Sequence, residues 1–183
     1  MNNYETKHIF LIGSIAALIF MPLIILLGPF IFQGILFDSR SVWLLQTPTE
    51  SRWMFTIGSG VLAVFLFLAF LFHRKGVLIT VAGSIIALTL FTYGTLNFQS
   101  ISTEEIVWSE PGSLKVQKYS WTDVSEVVLR VPEQRGEFHK MEFYFHDGKV
   151  VSFERNIDFN LNFYRFQELR MYHNIPFKAS NRM

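Results

Sequence analysis

The five histidines are the side chains best suited to metal binding or acid–base catalysis, and their spacing favours neither. His8, His73, His139, His146 and His173 form no i, i+4 pair and no HExxH motif. Carboxylates do not bracket them with the spacing of metal ligands. His139 and His146 fall on one predicted strand, an odd number of residues apart, and therefore on opposite faces. The histidines predict no metal site.

Other reactive patterns also have a structural interpretation. Gly58-Ser59-Gly60 lies within an apolar segment with no strand before it, unlike a nucleophile elbow. Glu104, Glu105 and Glu110 form an acidic run that is typical of a solvated linker. The absence of cysteine excludes disulfides, thiolate nucleophiles and cysteine-ligated metals. We therefore expect no enzyme, and no catalytic, cofactor-binding or metal-binding residue.

Charge is distributed unevenly along the chain. Residues 1–96 contain five of the 16 basic and three of the 15 acidic residues, so the chain has an apolar half followed by a polar half. The net charge of +1 gives no electrostatic argument for a nucleic-acid partner.

Three segments of the apolar half carry no charged side chain: residues 9–37, 53–72 and 77–98, which are 29, 20 and 22 residues long. A helix rises about 1.5 Å per residue, so roughly 20 apolar residues cross a hydrocarbon core of about 30 Å. We therefore expect residues 1–98 to form a three-helix transmembrane region of a multi-pass plasma (inner) membrane protein, with the lipid bilayer as a partner. Amphipathic aromatic side chains lie near the predicted interfaces: Trp43, Trp53 and Tyr93.

The first segment is longer than one crossing requires, at about 43 Å if straight. Pro22 and the Gly28–Pro29 pair are expected to kink it. Such a break can line a transport pathway. A bent membrane helix is the favoured interpretation, because the three segments contain no Asp, Glu, Lys or Arg that would indicate transport or proton relay.

The link His73–Gly76 is so short that the second and third helices must form an antiparallel hairpin. Its two cations and Lys7 would lie on one side of the membrane, against Arg40 and Arg52 on the other. A three-to-two excess does not decide the orientation by the positive-inside rule. The side of the membrane on which the carboxyl-terminal domain lies therefore stays open.

The polar half contains five segments with strand character: Glu105–Ser109, Ser113–Tyr119, Glu126–Val131, Phe138–His146 and Lys149–Arg155. The first two are separated by the turn Glu110-Pro111-Gly112. In the fourth, Met141, Phe143 and Phe145 alternate with polar residues and should face a core. Asp147-Gly148 predicts a two-residue hairpin turn, because both residue types tolerate positive φ.

A helical period follows the strands, at Phe159, Phe163, Phe166 and Leu169 or Arg170. The helix should be capped by Asp158 or Asn160 and should end near His173. These elements predict an α+β domain over residues 101–178, with an antiparallel sheet or barrel covered by a carboxyl-terminal helix. If Phe163 and Phe166 face the sheet, the outward side of this helix carries Tyr164, Arg165, Glu168 and Arg170. An ordinary solvated helix face is the favoured interpretation of these residues, and an interaction surface is the alternative.

Two passages, Glu105–Ser109 (EIVWS) and Ser120–Val127 (SWTDVSEV), resemble the bacterial pleckstrin-homology-like (PH-like) domains. Those domains often follow membrane helices and end in a helix after a hairpin. The resemblance implies a split, strongly bent antiparallel barrel, capped by the terminal helix, over about residues 101–178. It also implies that Trp121 and Val124 are core residues placed by a helical turn.

The chain departs from the eukaryotic relatives that bind phosphoinositides. Those relatives use clustered Lys and Arg in the first hairpin loop, whereas this chain has Glu110-Pro111-Gly112 with only Lys115 and Lys118 nearby. No phosphoinositide site is therefore expected.

These features support two hypotheses about function. One is a membrane-anchored, non-enzymatic interaction or regulatory protein that presents a PH-like domain to a protein partner; by resemblance, an immunity-type factor against a secreted toxin is a specific version. The other is a subunit of a membrane transporter or channel complex, with the first helix, kinked at Pro22 and Pro29, lining a pathway.

Overall fold

The computed structural model describes residues 3–37, 39–110, 115–132 and 138–180, and the chain forms two compact units. The helical unit comprises residues 1–37 and 47–97. The β unit comprises residues 38–46 and 98–183. The chain therefore passes between the units three times, and each unit is built from segments that are distant in sequence.

The helical unit consists of three long helices: α1 (Asn3–Phe37), α2 (Thr49–Leu71) and α3 (Gly76–Leu96). All three are long and apolar enough to cross a membrane, which confirms the three predicted apolar helices. The α1 helix continues through Pro22 and Pro29, although each proline removes one backbone N–H donor. A short 3₁₀ turn, His73–Lys75, joins α2 to α3.

Glycines allow α2 and α3 to pack closely. Three of them lie opposite phenylalanines of the other helix: Gly58 opposite Phe91, Gly83 opposite Phe65, and Gly94 opposite Phe55. The residue number rises along one helix as it falls along the other, so the predicted antiparallel hairpin is confirmed. Phe55 also meets Gly28, which brings α1 against the same ring. Helix association in lipid depends on such close packing.

The first sheet of the β unit contains β1 (Val42–Gln46), β2 (Gln99–Ser102), β3 (Glu105–Ser109) and β4 (Val116–Ser120), paired antiparallel in this order. Strands β1 and β2 were not expected, because residues 38–52 were interpreted as a connecting loop and no strand was predicted before Glu105. Trp43, placed by the sequence near a membrane interface, is instead buried in β1. Its ring packs edge-on against Phe159, with centroids 6.1 Å apart.

The second sheet has the order β7-β6-β5-β8. Its strands are β5 (Val124–Arg130), β6 (Lys140–Phe145), β7 (Val150–Glu154) and β8 (Phe177–Ser180). The β8 strand was not predicted, and it pairs parallel to β5. The β unit thus contains two four-stranded sheets that do not form a closed barrel, and the parallel strand β8 departs from the split antiparallel barrel that the resemblance implied. The predicted turn at Pro111-Gly112 lies outside the described residues.

The predicted alternation in β6 is confirmed. Met141, Phe143 and Phe145 are buried, whereas Glu142 and Tyr144 are partly exposed.

The hairpin between β6 and β7 was placed correctly, but its turn differs from the prediction. Four residues, 146–149, separate the two strands, and the Gly148 N–H donates to the Phe145 carbonyl at 3.0 Å. Gly148 has a φ of 85°, whereas Asp147 does not have a positive φ. The expected two-residue turn needs positive φ at both positions, so the predicted type of turn was wrong.

The carboxyl-terminal helix is divided into α4 (Ile157–Leu161) and α5 (Phe163–Tyr172). The cap is neither Asp158 nor Asn160. Asn156 caps α4, and its side-chain oxygen accepts a hydrogen bond from the Phe159 N–H at 2.9 Å. Phe159 of α4 and Phe166 of α5 are both fully buried, so the two short helices share one apolar side.

The β unit has a single aromatic-rich core, to which both sheets and both helices contribute. Trp121 begins a 3₁₀ turn, Trp121–Asp123, and is 1% exposed. Its indole Nε1 donates to the Ser102 carbonyl at 3.0 Å. Val124 is also buried, so both residues that the resemblance placed in a core lie there.

Candidate interaction surface

The outward side of α5 carries a groove, here called the α5 groove, with a volume of about 430 Å³. It is lined by six residues: Thr103, Tyr164, Arg165, Glu168, Leu169 and Tyr172. Tyr164 is 61% exposed and Tyr172 is 80% exposed. The opposite side of α5 packs on the core through Phe166, so one helix face is left to solvent with large aromatic side chains.

Three apolar residues of α4 and α5 that do not line the groove are also exposed. Ile157 and Leu161 of α4 are mostly exposed, as is Met171 of α5. Exposed apolar side chains that form a contiguous patch indicate an interaction site, whereas scattered ones do not.

The polar groups of the α5 groove can bind but form no catalytic arrangement. The Arg165 Nε donates to the Tyr164 hydroxyl at 2.9 Å, and its guanidinium lies 5.8 Å from the Tyr164 ring centroid. In the described part of the chain, the Glu168 carboxylate forms no ion pair. The groove therefore offers aromatic walls, hydrogen-bond donors from Arg165, and a carboxylate that can accept a cation.

The sequence identified this surface in part. Tyr164, Arg165 and Glu168 line the groove, as their expected outward direction suggested. Arg170 does not, because its Nε donates to the Gln167 Oε1 at 3.1 Å. Sequence reasoning missed Tyr172, although Tyr164, Glu168 and Tyr172 are each four residues apart and share a helix face. Thr103 belongs to the turn after β2, and no local pattern connects it to α5.

The histidines are dispersed. His139 and His146 lie just outside the two ends of β6 rather than on one strand, so the predicted strand was too long. His173 follows α5, and its ring stacks on Trp121 with an interplanar angle of 11°. Among residues 3–37, 39–110, 115–132 and 138–180, no group of three His, Cys, Asp or Glu could hold a metal ion.

A second polar cluster lies on the surface of the β unit. The Tyr119 hydroxyl donates to the Asp147 carboxylate, and the Lys149 N–H donates to the same carboxylate at 3.0 Å. These hydrogen bonds hold the pKa of Asp147 below its ordinary value, while the bond to Asp147 raises the pKa of Tyr119. The cluster joins β4 to the β6–β7 turn, which is a structural role.

A third cluster crosses β5 and β6. The Arg130 Nε donates to the Glu142 carboxylate at 2.8 Å, and its Nη2 donates to the Tyr144 hydroxyl at 3.0 Å. The Tyr144 hydroxyl in turn donates to Glu142 at 2.7 Å. The hydrogen bond to Glu142 raises the pKa of Arg130. These hydrogen bonds connect β5 to β6, which is a structural role.

The helical unit contains a buried polar cluster around Gln33, which is 0% exposed. Its Nε2 donates to the backbone carbonyls of Asn97 at 2.8 Å and Gly94 at 3.3 Å. Its Oε1 accepts from the Thr47 hydroxyl at 2.7 Å, and the Ser51 hydroxyl also donates to Gly94. This amide therefore connects α1 to α3 and to the segment that begins α2. The sequence search considered only charged groups in the apolar segments and missed Gln33.

We expect Gln33→Leu to destabilise the helical unit by about 1–2 kcal/mol, because interhelical hydrogen bonds in membranes contribute about 0.6 kcal/mol on average and the substitution removes several of them. The measurement is the thermal unfolding temperature of the full-length protein in detergent. Thr89→Val is the matched control, since the Thr89 hydroxyl bonds only within its own helix, to the Ile85 carbonyl. Equal melting of the two variants would contradict a connecting role for Gln33.

In comparisons with known proteins, no protein-family model matches this chain, and no curated protein matches it.

Proposed function

We propose that the chain is a membrane-anchored, non-enzymatic interaction protein whose α5 groove binds a protein partner. The anchor is proposed to be the three long apolar helices, in a plasma (inner) membrane. The links between α1 and β1, between β1 and α2, and between α3 and β2 have four, two and two residues. A chain extends by at most about 3.6 Å per residue, so links this short would hold the β unit close to the membrane.

The β unit is proposed to be a variant PH-like domain. The core positions of Trp121 and Val124 and the helix after the hairpin support this assignment. The parallel strand β8 departs from the expected antiparallel barrel. An immunity-type role, with a secreted toxin as the partner, is one specific form of the proposal.

The observation that carries the proposal is the exposure of Tyr164 and Tyr172 beside the Glu168 carboxylate, which forms no ion pair with any residue that the structure describes. Tyrosine is enriched at the energetically dominant positions of protein interfaces. The groove therefore suits a protein segment that places apolar side chains against the tyrosines and a Lys or Arg against Glu168.

The alternative is a transporter or channel subunit in which α1 lines a pathway. The polar side chains of α1 give it little support, because they are directed to neighbouring helices. The Ser14 hydroxyl donates to the Ala63 carbonyl at 2.9 Å, and Gln33 is used in the cluster described above.

The proposal predicts that Tyr164→Ala combined with Tyr172→Ala removes a stoichiometric partner from the full-length protein purified in mild detergent. Two interface tyrosines contribute about 2 kcal/mol or more each, which is about 4 kcal/mol together, so the affinity for the partner should fall roughly 700-fold. The control is Val116→Ala with Val150→Ala, which removes exposed apolar side chains of β4 and β7 that do not line the groove. Recovery of the same partner by both double variants would exclude the groove, and recovery of no partner in several detergents would exclude the function.

A further inference from the structure

The turn between α2 and α3 combines exposed cations with an apolar groove, here called the turn groove. His73, Arg74 and Lys75 form the 3₁₀ turn, and all three are exposed. The turn groove has a volume of about 370 Å³, and Leu71, Phe72 and Ile79 complete its lining. Half of its lining residues are therefore basic and half are apolar.

The positive charge of this turn is not neutralised within the described residues. None of His73, Arg74 and Lys75 forms an ion pair there. The sequence has no Asp or Glu between Glu50 and Glu104. A cluster of like charges without counter-charges is unfavourable unless an anion or solvent compensates it.

The amino-terminal part of α1 adds a further cation at this end of the helical unit. Phe10 lies against Gly76, the first residue of α3, and the Lys7 ammonium is 4.7 Å from the Phe70 ring centroid. Lys7 is therefore within about one helical turn of the residues that line the turn groove. The folded unit gathers three of its cations, Lys7, Arg74 and Lys75, at one end.

We propose that the turn groove binds the phosphate headgroup of an anionic phospholipid. Arg74 and Lys75 contact the phosphate, and the first part of an acyl chain lies along Phe72 and Ile79. A lipid fits better than a free phosphate because half of the lining residues are apolar, and a free phosphate would contact only the basic half. The site rests on the proposed membrane insertion but not on the α5 groove or its partner.

The test is a native mass-spectrometry titration of the full-length protein in non-ionic detergent. The probes are phosphatidylglycerol and phosphatidylcholine with the same acyl chains, and glycerol 1-phosphate as the headgroup without a chain. We expect one phosphatidylglycerol to bind in preference to phosphatidylcholine. We also expect no competition from an equal concentration of glycerol 1-phosphate. Each Lys or Arg near an anionic lipid surface contributes about 1 kcal/mol, so Arg74→Gln with Lys75→Gln should weaken phosphatidylglycerol binding about 25-fold.

The matched control is Arg40→Gln with Arg52→Gln, which removes the same charge from the segment between α1 and β1 and from the start of α2. It should leave the affinity for phosphatidylglycerol unchanged. Equal binding of the two lipids, or equal loss in both double variants, would overturn the proposed site. Binding of glycerol 1-phosphate as tight as that of the lipid would overturn the choice of a lipid. A protein that stays soluble without detergent would instead overturn the proposed membrane anchor.

Discussion

Gly83→Ala should strongly destabilise the pair of helices α2 and α3. A β-carbon at Gly83 would lie 2.3 Å from the Phe65 β-carbon and 2.5 Å from its γ-carbon, far inside van der Waals contact. The Phe65 β-carbon is attached directly to the backbone, so a side-chain rotation cannot move it away and the helices must separate. Overpacking of this kind typically costs about 1–3 kcal/mol, and we expect the upper end of this range.

Gly60→Ala is the control for this substitution. Gly60 is also in a helix of the pair, and a β-carbon added there would have no atom within 4 Å. Alanine favours a helix over glycine by about 1 kcal/mol, so Gly60→Ala should be neutral or slightly stabilising. The measurement is the thermal unfolding temperature in detergent. If the Gly83→Ala and Gly60→Ala variants had the same unfolding temperature, the close approach of α2 and α3 would be contradicted.

Trp121→Ala should remove most of the stability of the β unit. Trp121 is almost fully buried and contacts Phe143, Phe166 and His173. Truncation of a buried Trp to Ala costs about 3–5 kcal/mol, and here it also leaves the Ser102 carbonyl without its indole donor. This loss is large against the 5–15 kcal/mol that is typical of whole domains.

Pulse proteolysis of the full-length protein over a urea series measures this effect, because cleavage within residues 98–183 reports unfolding of the β unit. Tyr172→Ala serves as the control, since this aromatic side chain of the same unit is 80% exposed. It should leave the urea midpoint within the error of the measurement. Trp121→Phe, which retains a ring but loses the N–H donor, should fall between the two. A Trp121→Ala midpoint equal to that of Tyr172→Ala would contradict the central position of this indole.

The α5 groove shows which side-chain positions a local sequence pattern can predict and which it cannot. The helical period placed Tyr164, Arg165 and Glu168 on the outward side of the helix, and they line the groove. The same period continued to Arg170, which instead bonds to Gln167 and lies over the Phe177 ring. Phe177 belongs to β8, a strand that has no signal in its own four residues. The direction of the Arg170 side chain therefore depends on a contact with β8, which the sequence did not predict.

Strand β1 and Gln33 show the same limit. Strand β1 precedes α2 and α3 in sequence, yet Gln46 pairs with Gln99, which follows both helices. Gln33 finds its acceptors at Gly94 and Asn97, more than 60 residues later. The sequence around Gln46 and the sequence around Gln33 contain no local pattern that identifies these distant partners.

The sequence by itself determined the three apolar helices, most of the strands and the hairpin between β6 and β7. These features follow from the length of uncharged segments, from alternation of polarity and from turn residues, all of which act over a few neighbouring positions. Only the tertiary structure decided the pairing of β1, β2 and β8, the arrangement into two sheets, the Gln33 cluster and the two grooves. These depend on contacts between segments far apart in the chain, whose free energies are properties of the pair and not of either segment alone.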